Sequence, residues 1–235
     1  MARFDPVMRK SPDMTLLIFD CDGVLVDSEL LANAALAKLI SDLGHPMTTD
    51  EAVKVFTGLR LNDVLALAEA LLSFPIPADL GAAAGQQLLE RFRRELKPVK
   101  GVREVVGALP YPRCVASSST RERVQLSLEV TGLAELFGDR VFSAEQVKHG
   151  KPAPDLYLFA ARSVGARTTD CIVIEDSTLG IRAAVAAGMG TVGFVGASHA
   201  APELAHQLRM AGARTVVSSM SDLAGAIKDV VETCI

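Results

Sequence analysis

The chain has 235 residues, enough to bury a sizeable core as one large domain or two modest ones. Its formal net charge of −4 argues against a nucleic-acid partner, because a phosphate-backbone footprint needs clustered Lys and Arg. Residues 1–13 carry charges and prolines without an apolar run, so they read as a mobile leader and not a signal peptide; nothing downstream is apolar and long enough to span a bilayer.

The first predicted element is a strand. Thr15-Leu16-Leu17-Ile18-Phe19 is short, branched and aromatic, with no helical period, and it runs into Asp20-Cys21-Asp22-Gly23. A strand tip does not bury two carboxylates cheaply, so the pair implies a cation, a shared proton, or both. Ligands of open α/β sheets bind at the carboxyl ends of strands, which is where these acids fall.

Residues 28–95 then follow helical spacing. Leu30, Leu31, Leu36, Leu39, Ile40 and Leu43 suit one helix, stopped by Gly44 and Pro46. Val53, Val55 and Phe56 precede a break at Gly58. Val64, Leu65, Leu67, Ala68 and Leu71 make another helix, ending before Pro75-Ile76-Pro77. Leu80, Leu88, Leu89 and Phe92 make a last one, closed by Pro98. The basic run Arg91-Phe92-Arg93-Arg94 is flanked by Glu90 and Glu95 and reads as a solvated helix face.

From Gly101 onward strands and helices alternate. Arg113–Ala116, Arg140–Phe142, Cys171–Ile174, Thr191–Val195 and Thr215–Val217 are the expected strands, which argues for a parallel, doubly wound sheet. The first strand must join it, so the core is discontinuous in sequence. The second strand ends in Ser117-Ser118-Ser119-Thr120 ahead of a helical pattern, a place where hydroxyls and free N–H groups cradle an anion. Cys171–Ile174 ends in a second acid pair, Glu175-Asp176, followed by Ser177. Between them Gly150-Lys151-Pro152-Ala153-Pro154-Asp155 fixes a lysine among prolines. Taken singly, these are turn serines, a loop lysine and helix-capping acids; in order, at strand tips, they read as one site.

Two patterns are set aside. Gly188-Met189-Gly190-Thr191-Val192-Gly193 matches a dinucleotide fingerprint, but a helix precedes it and a strand follows, the reverse of what that fingerprint needs. Cys21, Cys114, Cys171 and Cys234 lack zinc-type spacing and read as small buried hydrophobes in a reducing compartment, with the cytoplasm as the expected location.

Asp20-x-Asp22-Gly23, Ser117, Lys151 and Glu175-Asp176 resemble, in order and in kind, the four motifs of the haloacid dehalogenase superfamily. Phe19–Glu29 and the 150–155 loop are similar to its β-phosphoglucomutase-like phosphatase branch. The resemblance implies a Rossmann-like, doubly wound α/β core of residues 14–27 and 96–235, with an all-α helical cap domain of residues 28–95 inserted. It also implies that Asp20 is the nucleophile and Asp22 the acid and base, roles that spacing alone does not assign. Mg²⁺ would be held by the side chains of Asp20 and Asp176 and the backbone carbonyl of Asp22, with Glu175 close by or bound through water. Lys151 would offset the remaining negative charge, while Ser117, Ser118 and neighbouring N–H groups would hold the phosphoryl oxygens.

The same resemblance narrows the chemistry. Dehalogenases and phosphonatases of the family lack the second aspartate, and the turn Phe56-Thr57-Gly58-Leu59-Arg60 lacks the phosphonatase lysine. Mutases of the β-phosphoglucomutase type carry a histidine twelve positions after the nucleophile, where this chain has Ala32, leaving no visible device to restrain Asp22. The expected activity is hydrolysis of a small phosphorylated metabolite, a sugar or polyol phosphate, with the mutase as the alternative, by a monomer or weak homodimer. Glu29, Thr57, Arg60, Asn62 and Arg91 are the candidate contacts to the leaving group. Each has an ordinary reading as a turn or exposed helix residue, Glu29 as an acid in the first turn of a helix capped by Ser28.

Overall fold

The computed structural model describes residues 15–233; the leader expected over residues 1–13, Met14 and Cys234 lie outside them. Strand β1 (Leu16–Phe19) is short and fully buried, as its unbroken apolar run requires of a strand covered on both faces. It lies in the middle of a six-stranded parallel sheet with β2 (Arg113–Ser117), β3 (Val141–Ser143), β4 (Cys171–Glu175), β5 (Gly190–Phe194) and β6 (Thr215–Val217), in the order β3-β2-β1-β4-β5-β6. The expected strands fall within one residue of these bounds. Because the chain builds outward from β1 to β3 and then returns to β1's other side as β4, the strand order reverses between β1 and β4. That reversal opens a crevice at the carboxyl ends of the two strands.

Alternate residues of β1 serve opposite layers. Leu17 and Phe19 join a cluster built with Val102 and Val106 of α5 (Val102–Ala108), Val124 and Leu128 of α6 (Arg121–Val130), and Leu223 and Ile227 of α10 (Met220–Thr233). Leu16 and Ile18 join the other cluster, with Leu156 and Tyr157 of α7 (Asp155–Val164) and Ala183 and Ala184 of α8 (Thr178–Ala186). Helix α9 (Leu204–Ala211) covers the edge through Leu208, which packs with Ile181 and Ala213.

Between β1 and α5 stand four helices, α1 (Glu29–Asp42), α2 (Thr49–Phe56), α3 (Leu61–Leu72) and α4 (Ala78–Glu95), and no strand. Thr48 and Glu51 close a reciprocal capping box at the start of α2, and Gly44, at φ +100°, lets the chain turn after α1. These helices have their own small core of Ala37, Ile40, Ala52, Phe56, Ala68, Leu72 and Ile76. The outgoing and returning segments are tied side by side: Asp27 N–H donates to the Lys97 carbonyl at 3.0 Å, and Val99 N–H to the Leu25 carbonyl at 3.0 Å. The four helices are thereby set over the carboxyl end of the sheet. No described helix is long and apolar enough to cross a membrane.

The sheet core should be intolerant of lost volume at β1. Ile18 is completely buried between layers, so Ile18→Ala should cost about 2–5 kcal/mol of stability, read as a lowered denaturant midpoint at unchanged m-value.

Candidate active site

Asp20 follows the last residue of β1, and its N–H continues the sheet by donating to the Ile174 carbonyl at 3.0 Å. Glu175 ends the neighbouring β4 and Asp176 follows it, so sheet pairing alone brings three carboxylates together. One oxygen from each of Asp20, Glu175 and Asp176 lies within 4.8 Å of the others, all buried. Gly23, at φ +73°, makes this possible: a Cβ there would overlap the Asp176 carboxylate. Asp22 lies beyond this group, and its side chain turns to a different set of partners.

Lys151 supplies the charge that lets the group form. Its Nζ stands 2.8 Å from Asp20 Oδ1 and 2.6 Å from Glu175 Oε1, with the side chain almost wholly buried. Tyr157 of α7 donates to the same Glu175 oxygen at 3.1 Å and places its ring 5.1 Å from Nζ. The other Glu175 oxygen accepts from Ser177 N–H at 2.7 Å and Ser177 Oγ at 2.9 Å. Burial alone would raise the Glu175 pKa, but Lys151 and the Ser177 donors hold it below the usual carboxylate range. Asp20 goes the other way. Burial pushes it well up, Lys151 opposes, and the neighbouring carboxylates Glu175, Asp176 and Asp22 add to the rise. Burial also lifts Asp176, to about 6, against the pull of His199.

These groups fit a hard divalent cation. Asp20 and Asp176 offer carboxylate oxygens, and Asp176 Oδ2 is buried without a formed hydrogen bond, although His199 Nε2 stands 3.1 Å away. The excess of buried carboxylate over Lys151 is the charge such an ion would balance. Glu175, whose two oxygens already accept from Lys151, Tyr157 and Ser177, is placed to hold the neighbourhood.

Asp22 is restrained, contrary to the expectation from Ala32. Ser28 Oγ donates to its Oδ1 at 2.5 Å and Arg123 to the same oxygen at 2.7 Å. Ser119 Oγ donates to Oδ2 at 2.7 Å, and Ser117 Oγ reaches it at 3.4 Å. Burial would raise the Asp22 pKa; the Arg123 charge and the Ser28 and Ser119 hydrogen bonds hold it below the usual value. Ser28 therefore does not cap α1 as expected: its hydroxyl makes no cap bond and serves Asp22. Ser118 points away, donating to the Gly58 carbonyl at 3.1 Å, so its side chain ties the serine loop to the helices.

A cavity of about 340 Å³ lies over Asp20 and Asp22, between the serine loop and the four helices. Its lining is polar at Glu29, Asn33, Ser117, Ser119 and Arg123 and hydrocarbon at Leu36, Phe56, Leu65 and Leu89 among others. Of the five candidate leaving-group contacts, Glu29 lines this cavity. It is buried, receives Asn33 Nδ2 at 2.8 Å, and is lifted to about 7 by burial and then by the charges of Asp22 and Asp176. Thr57 stands behind it, its Oγ1 3.4 Å from Glu29 Oε2. Arg60 binds Asp63 and the Lys148 carbonyl, Asn62 is exposed, and Arg91 pairs with Glu95 on the outer face of α4. None of these last four is among the residues lining the cavity. Sequence reasoning missed Arg123, Asn33, Tyr157 and His199, and placed Ser119 in an anion cradle without its bond to Asp22. The one weak signal among these four was His199, in the loop that follows β5.

A family model described as haloacid dehalogenase-like hydrolase matches residues 17–194. The chain is similar to the 6-phosphogluconate phosphatase of Escherichia coli K12, at 28% identity over 189 residues covering 79% of this chain and 85% of that one. It is also similar to hexitol phosphatase B of the same organism, at 30% over 217 residues, covering 88% and 92%. Among solved structures it is similar to a HAD family hydrolase from Deinococcus radiodurans R1 with bound phosphate and sodium. That match has 33% identity and a TM-score of 0.73, covering 93% of this chain and 96% of that one.

The buried ion triad generates a stability test. Lys151→Met leaves Asp20 and Glu175 facing each other without a cation, and should cost about 3–5 kcal/mol at neutral pH in metal-free buffer. In the variant, burial is no longer opposed by the lysine charge, so both acids oppose folding when ionised. The deficit should therefore shrink as pH falls towards their unfolded values near 4, measured by denaturant unfolding across pH.

Proposed function

The chain belongs to the haloacid dehalogenase-like hydrolases and is a phosphatase; on that premise we propose that it hydrolyses a small sugar or polyol phosphate, with Mg²⁺, through an aspartyl-phosphate on Asp20. The observation that carries this reading is the placement of Asp20 against Lys151, opposite Asp22 and the serine loop, at the floor of a roofed cavity. Mg²⁺ on Asp20, Asp176 and the Asp22 carbonyl would neutralise phosphoryl charge when bound. The Deinococcus hydrolase was solved with bound phosphate and sodium, in keeping with a protein of this kind that takes both an anion and a cation.

In this reading the Asp20 carboxylate attacks phosphorus and the ester P–O bond breaks, its electron pair leaving on the alkoxide. Asp22 gives that oxygen a proton. Water then attacks the aspartyl-phosphate, returns a proton to Asp22, and releases inorganic phosphate with the Asp20 carboxylate restored. Lys151 steadies the charge on Asp20, and Ser117, Ser119 and adjacent N–H groups hold the phosphoryl oxygens. The hydroxyls of Ser117 and Ser119 now lie against Asp22. Their turning to phosphoryl oxygens would raise its proton affinity at the moment a donor is needed.

Residues 28–95 act as a cap that shields this chemistry from water. Glu29 and Asn33 would meet hydroxyls of the leaving group, and the hydrocarbon part of the lining would cover its carbon skeleton. Ala32 lines the cavity with a methyl group, and the phosphatase relatives favour hydrolysis over sugar phosphate mutation. The buried thiols of Cys21, Cys114 and Cys171 suit a cytoplasmic protein.

Chelation with EDTA should abolish turnover of sugar and polyol phosphates, and added Mg²⁺ should restore it; full activity in metal-free buffer would overturn the metal assignment. Asp20→Asn should leave no phosphoryl-enzyme to trap. Phosphorus NMR with β-glucose 1-phosphate and catalytic glucose 1,6-bisphosphate should show inorganic phosphate, not glucose 6-phosphate, as the product.

A further inference from the structure

We propose that Arg123 is the residue that positions Asp22 for proton transfer to the leaving group, an inference that rests on the phosphatase reading above. Asp22 has four donors, but they are not equivalent. Ser28, Ser117 and Ser119 present hydroxyls, which rotate and re-donate at little cost. Ser117 and Ser119 also belong to the loop that would hold the phosphoryl group, so an arriving substrate competes for them. Arg123 keeps its charge throughout and its fork is rigid. It is the donor that still directs Asp22 Oδ1 once the serine loop is engaged, at 2.7 Å and with the pair largely buried.

Arg123 is itself held by the fold. It projects from the first turn of α6, whose start is fixed by the Thr120 cap on the Arg123 N–H at 3.3 Å. Its guanidinium lies 5.1 Å from the ring centroid of Phe92, a fully buried residue of α4 that belongs to the sheet-side core. A cation over an aromatic face gains electrostatically and cannot swing freely. The orientation of Asp22 is therefore set by the packed core, through Phe92 and α6, and not by the serine loop it faces. Nothing in the local sequence marks Arg123, which stands in an ordinary run of alternating charges, Arg121-Glu122-Arg123.

The test separates positioning of an acid from binding of phosphate. An alkoxide needs a proton to leave, whereas nitrophenolate departs without one, and kcat/KM reports only the steps up to leaving-group departure. In Arg123→Met, kcat/KM for the best alkyl phosphate from a sugar and polyol panel should fall about 100-fold, against less than about fivefold for p-nitrophenyl phosphate. Arg123→Lys, which keeps the charge but not the fork, should lie between, with the same sign of selectivity. Equal losses on both substrates in a folded variant would mean that Arg123 holds phosphate or structure, and would overturn the proposal. If the Met variant fails to fold, the Lys variant decides: an unchanged alkyl-to-aryl ratio overturns the proposal, and a lowered ratio supports it. Absence of wild-type turnover on every substrate would overturn the phosphatase reading and this proposal with it, so the two failures are distinguishable.

Discussion

The ammonium of Lys151, buried between Asp20 and Glu175, is the constraint on which the rest of the site depends. Parallel pairing of β1 with β4 places their carboxyl ends side by side, and both ends carry acids. Without a cation, moving those acids out of water would cost several kcal/mol each. The lysine reaches them from a loop far along the chain, and Tyr157 and Ser177 satisfy what it leaves of Glu175. Glu175 is thereby held ionised, while burial and the neighbouring carboxylates push Asp20 up against the pull of the same lysine. That asymmetry suits one acid to a structural part and the other to reaction with an electrophile.

The second acid of the first motif has a separate environment, although it lies only two positions from Asp20. Gly23 turns the chain directly after Asp22, and Asp22 falls among hydroxyls and the Arg123 guanidinium instead of joining the carboxylate cluster. Two chemically identical side chains thus acquire opposite tendencies, Asp20 towards a raised pKa and Asp22 towards a lowered one. The four helices complete the arrangement by roofing both residues, with Glu29 and Asn33 forming the polar part of the roof.

The elements and the core acids were legible because local rules fix them. Apolar runs of four or five residues with no helical period, each closed by Gly, Ser or an acid, can be little other than buried strands, and their parallel order follows from the helices between them. An acid at such a terminus has nowhere to go but the crevice, so Asp20, Glu175, Asp176 and Lys151 could be assembled from sequence alone. The glycine pattern at 188–193 was likewise readable, since Gly188 ends a helix and Gly190 begins β5.

What sequence could not supply were the contacts that depend on which way a helix face turns. Ser28 looked like a helix cap and instead binds Asp22, because the backbone there is already helical and its hydroxyl points inward. Arg91 and Arg123 are both arginines on charged helices; only the docking of α6 against α4 decides that one meets solvent and Glu95, and the other meets Asp22 over the Phe92 ring. His199 reaches Asp176 because its loop folds back over the sheet, at a sequence distance no periodicity spans. Local pattern was enough for the strands and the acids at their ends, because strand termini are defined locally; that Lys151, in a loop, pairs with Asp20 and Glu175 came with the fold. Only the tertiary structure decided which donors surround Asp22 and which cap residues face the cavity, because those depend on rotations between packed elements that no local pattern encodes.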